Sequence, residues 1–237
     1  FQDYENNLWI GSHAGLYKYR GNPFTFYGSN EGLLNNFVIG VLRDSKNVLW
    51  VGSQDGGLFR YKNNGFIQFN EQNGLKAKTV NAIYEYAPGI LWLATEQGLS
   101  IYDGTNFIKK SDSTDIFSRS LNCFYMDSKN NLWIGGKDKL YKYDGKDFTS
   151  YTFKCRSAEF EIWTIVEDKN GALWIGTYLG GLIKYDGKTF TECSNMFESM
   201  NDSYLSSLID NEGNLYFGSL DGLWMLNPKT PNLKPVH

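Results

Sequence analysis

Apolar and polar positions along this chain recur as a block rather than following one period from end to end. Each block opens with a run that is apolar on both faces: Val38 to Asp44, Val80 to Tyr86, Leu121 to Asp127, Ile162 to Asp168 and Tyr204 to Asp210. A strand covered on both sides reads this way. A second apolar run follows, centred on Trp9, Trp50, Trp92, Trp133, Trp174 and Tyr216, in strings such as Asn7-Leu8-Trp9-Ile10-Gly11-Ser12 and Ala172-Leu173-Trp174-Ile175-Gly176-Thr177. The central aromatics lie 41, 42, 41, 41 and 42 residues apart. That period is too long for a β-helix coil and matches one four-stranded propeller blade.

Turn residues divide each block further. A Gly-Leu pair leads to an aromatic at Gly15-Leu16 to Tyr19, Gly57-Leu58 to Tyr61, Gly98-Leu99 to Tyr102 and Gly181-Leu182 to Tyr185, which predicts a third strand. Asn64-Gly65, Asp103-Gly104, Asp144-Gly145 and Asp186-Gly187 read as tight hairpin turns with both central residues at positive φ, each followed by a strand led by Phe66, Phe107, Phe148 or Phe190. The first strands place Gly40, Ala82, Cys123, Thr164 and Ser206 ten residues before the next central aromatic. Small side chains there suit converging blades. The fold class is therefore all-β, a β-propeller of six repeats with four-stranded antiparallel blades.

Both ends depart from the repeat. Only Phe1, Gln2 and Asp3 stand where a first strand precedes Trp9, and Asn227-Pro228, Pro231 and Pro235 follow Leu223-Trp224-Met225-Leu226. The expected domain is a propeller over 1–226 with incomplete first and last blades, followed by a Pro-containing tail or linker over 227–237. Six blades forming an open or closed ring, and six blades of a seven-bladed ring, are both compatible with this pattern.

The pattern Asn-Leu-Trp-Ile-Gly-[Ser/Thr], then Gly-Leu, Tyr and Asp-Gly, with Glu31-Gly32-Leu33 and Asn73-Gly74-Leu75 before the next first strand, resembles the two-component regulator propeller repeat. Six copies agree in register, with Tyr216, Lys139 and Ala94 as local departures. The resemblance implies a periplasmic or extracellular location in the sensor part of a histidine kinase or hybrid regulator. It also implies a downstream β-sandwich and kinase in a longer chain, signal transduction, and carbohydrate fragments as ligands.

Composition narrows the function further. The chain has 23 Lys and Arg against 26 Asp and Glu, a formal charge of −3, and no dense basic cluster, which argues against nucleic acid as a partner. Apolar runs are strand-sized, and no basic-then-apolar leader opens the chain. Cys123, Cys155 and Cys193 are an odd number; Cys123 suits a small buried position, and a bridge between Cys155 and Cys193 is left open. His13 and His237 are the only histidines, so a Ser-His-Asp or Cys-His site would have to use His13. Asp44, Asp127, Asp168 and Asp210 recur at hairpin turns, one to a turn, where a calcium loop would gather several ligands; no metal site and no cofactor are expected.

A non-catalytic binding domain is the reading these residues favour, with a lyase or glycoside hydrolase as the enzymatic alternative. Variation from the repeat concentrates in the connections Asp115 to Arg119, Cys155 to Glu161 and Asn195 to Glu198. Trp163 stands where other copies have Ile39, Asn81, Asn122 and Leu205, so the repeat does not demand it. With Tyr178, Phe160, Glu161, Arg119 and Phe117 it is expected to form an aromatic platform with polar arms, suited to a sugar ring or another small polar ligand. Packing of Trp163 between blades is the structural alternative. A protein-interaction or self-association platform is the alternative function.

Overall fold

A computed structural model describes all residues except 22, 36, 109–113, 194–202, 228–229 and 237, together with the backbone but not the side chains of 230–233. The described strands form six antiparallel sheets, one per sequence repeat, and the fold is a six-bladed β-propeller. In the first blade β1 (Leu8–Ser12), β2 (Gly15–Tyr19) and β3 (Thr25–Tyr27) form a three-stranded sheet, to which Gln2 adds an isolated bridge with Leu8. The other blades are four-stranded meanders: β4 (Val38–Arg43) to β7 (Gly65–Phe69), β8 (Val80–Ala87) to β11 (Phe107–Ile108), β12 (Leu121–Met126) to β15 (Phe148–Tyr151), β16 (Glu161–Glu167) to β19 (Phe190–Glu192), and β20 (Tyr204–Ile209) to β23 (Thr230–Pro235). Contacts divide the chain into two compact units, Phe1–Leu121 and Asn122–His237.

The expected linker after residue 226 is instead largely the fourth strand of the sixth blade. β23 pairs with β22 (Gly222–Asn227), opposing Leu233 to Leu226 and Pro235 to Trp224. Prolines misled the reading because an outer strand is bonded on one side only, which tolerates residues without an N–H. The Asp-Gly turns need a correction too. Gly104, Gly145 and Gly187 have positive φ but Asp103, Asp144 and Asp186 do not. Each Asp carboxylate instead accepts two backbone N–H bonds from the residues two and three ahead, as Asp144 does from Lys146 and Asp147 at 2.9 Å. The preceding tyrosine hydroxyl closes the turn on the Gly carbonyl, at 2.9 Å from Tyr143 to Gly145. In the second blade the positive-φ pair is Asn63 and Asn64, one residue earlier than expected.

One bond pattern organises the start of most blades. The Trp indole Nε1 donates to a carboxylate six residues earlier: Trp9 to Asp3, Trp50 to Asp44 and Trp133 to Asp127 at 2.8 Å, and Trp174 to Asp168 at 3.0 Å. The other carboxylate oxygen accepts backbone N–H groups of the turn, from Lys129 at 2.9 Å and Asn131 at 2.8 Å in the Asp127 case. One residue thus satisfies the turn and the buried indole together. This accounts for the recurrent acids without a metal. In the third blade Tyr86 takes the Asp position and stacks on Trp92.

Adjacent blades meet through glycine. A Cβ at Gly52 would lie 2.5 Å from the Val80 carbonyl, and one at Gly176 would lie 2.6 Å from Thr164 and 3.0 Å from Tyr204. The small first-strand residues are the cross-strand partners of these positions, Gly40 opposite Gly52 and Thr164 opposite Gly176. The repeat tryptophans are buried, at 2 to 4 % exposure for Trp9, Trp50, Trp92, Trp133 and Trp174, as core residues should be. Basic side chains cover four of them: Lys18, Arg60, Lys142 and Lys184 lie over Trp9, Trp50, Trp133 and Trp174. All three cysteines are free thiols; burial pushes Cys123 up to about 12 and raises Cys193 as well.

Burial alone would raise the pKa of Asp127, but the bonds from Trp133, Asn131 and Lys129 outweigh it and hold the carboxyl below its ordinary value. Asp3 behaves alike: burial opposes, and Trp9, Asn7 and Arg43, whose guanidinium lies 2.7 Å away, prevail. A carboxyl depressed in the folded state contributes stability that is fully present above its unfolded pKa of about 3.9 and is lost as pH falls through the folded value. Urea unfolding should therefore show stability declining below about pH 4. Asp127→Asn should lose about 1–3 kcal/mol at pH 7 and decline less steeply in acid; an unchanged midpoint and acid slope would refute this role.

Candidate functional site

Two kinds of segment meet on one face of each unit: the turns between second and third strands, and the connections that carry the chain to the next blade. Backbone bonds tie them together, from Gly57 to the Lys78 carbonyl at 2.7 Å, from Gln54 to Phe37 at 3.0 Å and from Asp138 to Phe160 at 3.0 Å. The Glu96 carboxylate accepts from the N–H groups of Lys78 and Thr79 at 2.7 and 2.8 Å. Side chains on this face are therefore carried by anchored loops on a rigid sheet scaffold.

In four blades the first strand enters this face through a β-bulge. The ladder skips one residue between Val38 and Gly40, Val80 and Ala82, Ile162 and Thr164, and Tyr204 and Ser206. The skipped residues are Ile39, Asn81, Trp163 and Leu205, so the register singled out in the sequence is the bulge register. A bulge re-aims a side chain out of the ladder. Asn81 uses that freedom to donate its Nδ2 to the Leu121 carbonyl at 2.9 Å. Asn122, at the same repeat position, donates to the Ile162 carbonyl at 3.2 Å. Each asparagine so fastens its own blade to the next.

Trp163 does something different. Its indole Nε1 donates to Glu161 Oε2 at 3.2 Å, two residues back on its own strand, and the ring is half-buried. Glu161 lies opposite Tyr178 in the ladder between β16 and β17 (Leu173–Tyr178) and forms a further bridge with Lys137 of the preceding blade. Tyr178 is 39 % exposed. In the second unit the Trp163 indole is thus bonded to the Glu161 carboxylate, and Tyr178 stands across the ladder from Glu161.

Phe160 does not join them. It is 4 % exposed, packs in the core with Ile162 and Ile175, and sets its ring 5.2 Å from that of Phe153, so burial removes it from the expected platform. Arg119 and Phe117 belong to the first unit. The Arg119 Nε pairs with Asp115 at 2.7 Å across the 3-10 turn Asp115–Phe117, a bond internal to the connection. The variable connection at Asn195 to Glu198 lies outside the described residues.

Phe117 lines a feature the sequence did not reveal, a cleft of about 840 Å3 in the first unit. Leu99, Phe107, Ile108 and Phe117 supply its apolar wall, with Lys76, Glu96, Gln97 and Ser100 among its polar groups. A second cleft of about 510 Å3 shares Lys76 and Ala77 with the first and is lined by Asp55, Gln68, Asn70, Glu71, Gln72 and Lys78. Singly, these polar residues read as solvated turns. Only the fold brings the turns 54–57 and 96–97 beside the connection 71–78.

Leu179 was also missed. Its φ is 67°, a left-handed conformation that Asp55 and Asp138 occupy in the corresponding turns of the second and fourth blades. Short polar side chains tolerate this conformation and leucine does not. Leu179 is 48 % exposed, and its N–H donates to the buried Ser203 hydroxyl at 3.1 Å. His13, exposed in the first blade, stacks on Phe37 with centroids 4.0 Å apart. Among the described residues no group of three His, Cys, Asp or Glu could hold a metal ion, and no helix is long and apolar enough to cross a membrane.

Comparison with known proteins places this geometry. Among curated proteins none matches the chain. The whole chain is similar in structure to the extracellular domain of a putative hybrid two component system from B. thetaiotaomicron, at 20 % identity and a TM-score of 0.79, and covers 32 % of that domain. A second such domain from the same organism is matched over 100 % of this chain and 39 % of its own length, at 19 % identity and a TM-score of 0.57. The chain thus spans a third or a little more of the extracellular domains it matches. A virginiamycin B lyase from Staphylococcus aureus, in a variant inactivated by replacing a histidine, is similar over 99 % of this chain and 82 % of that one, at 13 % identity and a TM-score of 0.78. The two component regulator propeller profile matches residues 32–55 and 160–179, the second interval running from Phe160 through Trp163 to Leu179. The two component regulator propeller repeat is thus matched in two of the six blades.

Proposed function

We propose that this chain is a non-catalytic, sensor-type binding domain, placed outside the cytoplasm, whose ligand is a small polar molecule of the oligosaccharide class. The observation that carries the reading is Trp163. Where Asn81 and Asn122 spend their side chains on fastening blades, the indole of Trp163 is steadied by Glu161 beside the exposed Tyr178. A flat aromatic surface with a carboxylate at its edge is suited to stacking on a sugar ring while accepting from its hydroxyls. The sensor-type relatives support the wider assignment at the level of fold. Action within a two-component system, through a β-sandwich and kinase on a longer chain, is part of the same proposal.

The lyase fold is shared, but among the described residues no arrangement favours its chemistry. His13 is the one histidine among the described residues, and its ring is stacked on Phe37. Glu161 spends one carboxylate oxygen on the indole of Trp163.

Protein docking or self-association is the second reading, and Leu179 favours it. A bulky apolar residue held in a strained, exposed turn beside Tyr178 is a feature that folding does not require. Leu220, in the corresponding turn of the sixth blade, is 64 % exposed.

A thermal-shift screen against oligosaccharides tests the first reading. A ligand at a hundred times its Kd adds about 2.7 kcal/mol, or roughly 5–10 °C for a domain of this size. The shift should disappear in Trp163→Ala while the ligand-free melt stays near wild type; a shift that survives the substitution would remove Trp163 from the site. For the second reading, Leu179→Asn should raise stability by about 1 kcal/mol in urea unfolding by relieving the left-handed strain. Sedimentation of wild type and Leu179→Asn over a range of concentrations then decides whether the leucine mediates association, since equal behaviour of the two would show that it does not.

A further inference from the structure

The two adjoining clefts of the first unit share no lining residue with the Trp163 platform; both carry polar groups, and only the larger has an aromatic and aliphatic wall. The larger presents Leu99, Phe107, Ile108 and Phe117, with Ile108 47 % exposed. The smaller presents carboxamides and charges of both signs: Gln68, Asn70 and Gln72 with Asp55, Glu71 and Lys78. They are contiguous through Lys76 and Ala77, which line both. We propose that together they form one groove that binds an extended peptide segment, seating a large apolar side chain in the aromatic lobe and running a polar stretch through the amide lobe.

Three observations favour a peptide over the other chain-like ligand of this size, a glycan. A homopolymeric glycan offers the same unit to each lobe, whereas the lobes ask for unlike units, which successive amino acids supply. The apolar wall of the aromatic lobe is phenylalanine and aliphatic side chains, and among the described residues that line it no Trp or Tyr pairs ring stacking with a hydrogen bond. The amide lobe offers donors and acceptors together, the complement of a peptide backbone. The charges are mixed, Asp55, Glu71 and Glu96 against Lys76 and Lys78, so the groove is not committed to a strongly acidic or strongly basic partner.

The groove is also held in shape before any ligand arrives. Gln68 Nε2 donates to the Gly56 carbonyl at 2.9 Å across the floor of the amide lobe. Asn70 caps the 3-10 turn Glu71–Asn73 by accepting from Gln72 N at 3.0 Å, and Glu96 clamps the N–H groups of Lys78 and Thr79. Gly57, at φ 74°, would set a Cβ 2.6 Å from the Phe69 carbonyl, so glycine is what lets the turn lie against the outer strand there. Preorganisation of this kind lowers the ordering cost of binding.

The test uses the full chain and a random dodecapeptide library displayed on phage, with selected sequences then made as free peptides and measured by calorimetry. Enriched peptides should share one large apolar residue flanked by polar ones. Their affinity should fall at least tenfold in Ile108→Ser and at least fivefold in Gln72→Ala, both surface changes checked by an unaltered melt, and should be unchanged in Trp163→Ala. Failure to enrich any sequence, or free peptides whose binding survives both groove substitutions, would overturn the proposal. A neutral hexasaccharide panel run beside it separates the two sites: sugar binding lost in Ile108→Ser and Gln72→Ala but kept in Trp163→Ala would give the groove to a glycan and overturn the peptide assignment. Sugar binding lost only in Trp163→Ala, with no peptide bound, would retain the platform and dismiss the groove.

Discussion

A buried indole N–H has to find an acceptor, and in this chain that requirement is met by the same carboxylate that closes the turn ahead of it. Four tryptophans, Trp9, Trp50, Trp133 and Trp174, make this bond, so the turn that leads into each Trp strand is locked by a side chain that also belongs to the core. The consequences spread outward. With the Trp fixed, the basic residue of the third strand lies over its face, and the glycine two residues along can meet the next blade's backbone. The second and third strands, and the seam between blades, take their positions from that one interaction.

Blade-to-blade cohesion combines apolar clusters shared by neighbouring blades, such as Trp50 and Leu58 with Leu91, Leu93 and Tyr102, with backbone proximity and polar bridges. Gly52, Gly135 and Gly176 leave no room for a Cβ where Val80, Ile162 and Tyr204 approach. At the opposite end of the strands Glu85 accepts from Ser45 of the preceding blade, and Glu167 accepts from Ser128 in the same manner. Because these contacts are charge-assisted and involve backbone N–H groups, they fix register as well as adding stability. The loops at the other face are thereby left to vary without loosening the sheets.

The repeat was legible because its determinants are local. The Trp spacing, the Gly-Leu pair and the acid before each second strand lie within one block, and each maps onto a bond or a close approach in the fold. The turns were legible in position but not in mechanism: Asp103, Asp144 and Asp186 looked like positive-φ residues and act instead as acceptors for the turn. β23 was illegible because proline marks a break in most strands and is tolerated at an edge, a distinction that depends on what lies beside it. The site was legible in part. Departure from the repeat pointed to Trp163 and to the connection that ends at Glu161, and the fold joins those two by a hydrogen bond, with Tyr178 across the ladder from Glu161. Phe160 departed equally and proved to be core, since a deviation shows that a position is special without showing which way it points. The paired clefts had no signature at all, being made by the juxtaposition of two turns and a connection whose residues are ordinary taken singly.

The bulge at the head of four first strands carries a consequence for how such a protein changes over time. Ladder bonding passes the skipped residue by, so Ile39, Asn81, Trp163 and Leu205 can differ in size and polarity while the flanking pairs keep their partners. A duplicated blade therefore inherits one position released from the ladder, free to fasten the next blade, as Asn81 does, or to face outward. Selectivity can drift there, copy by copy, at little cost to folding, and near-identical modules can come to present different chemistry at the same register.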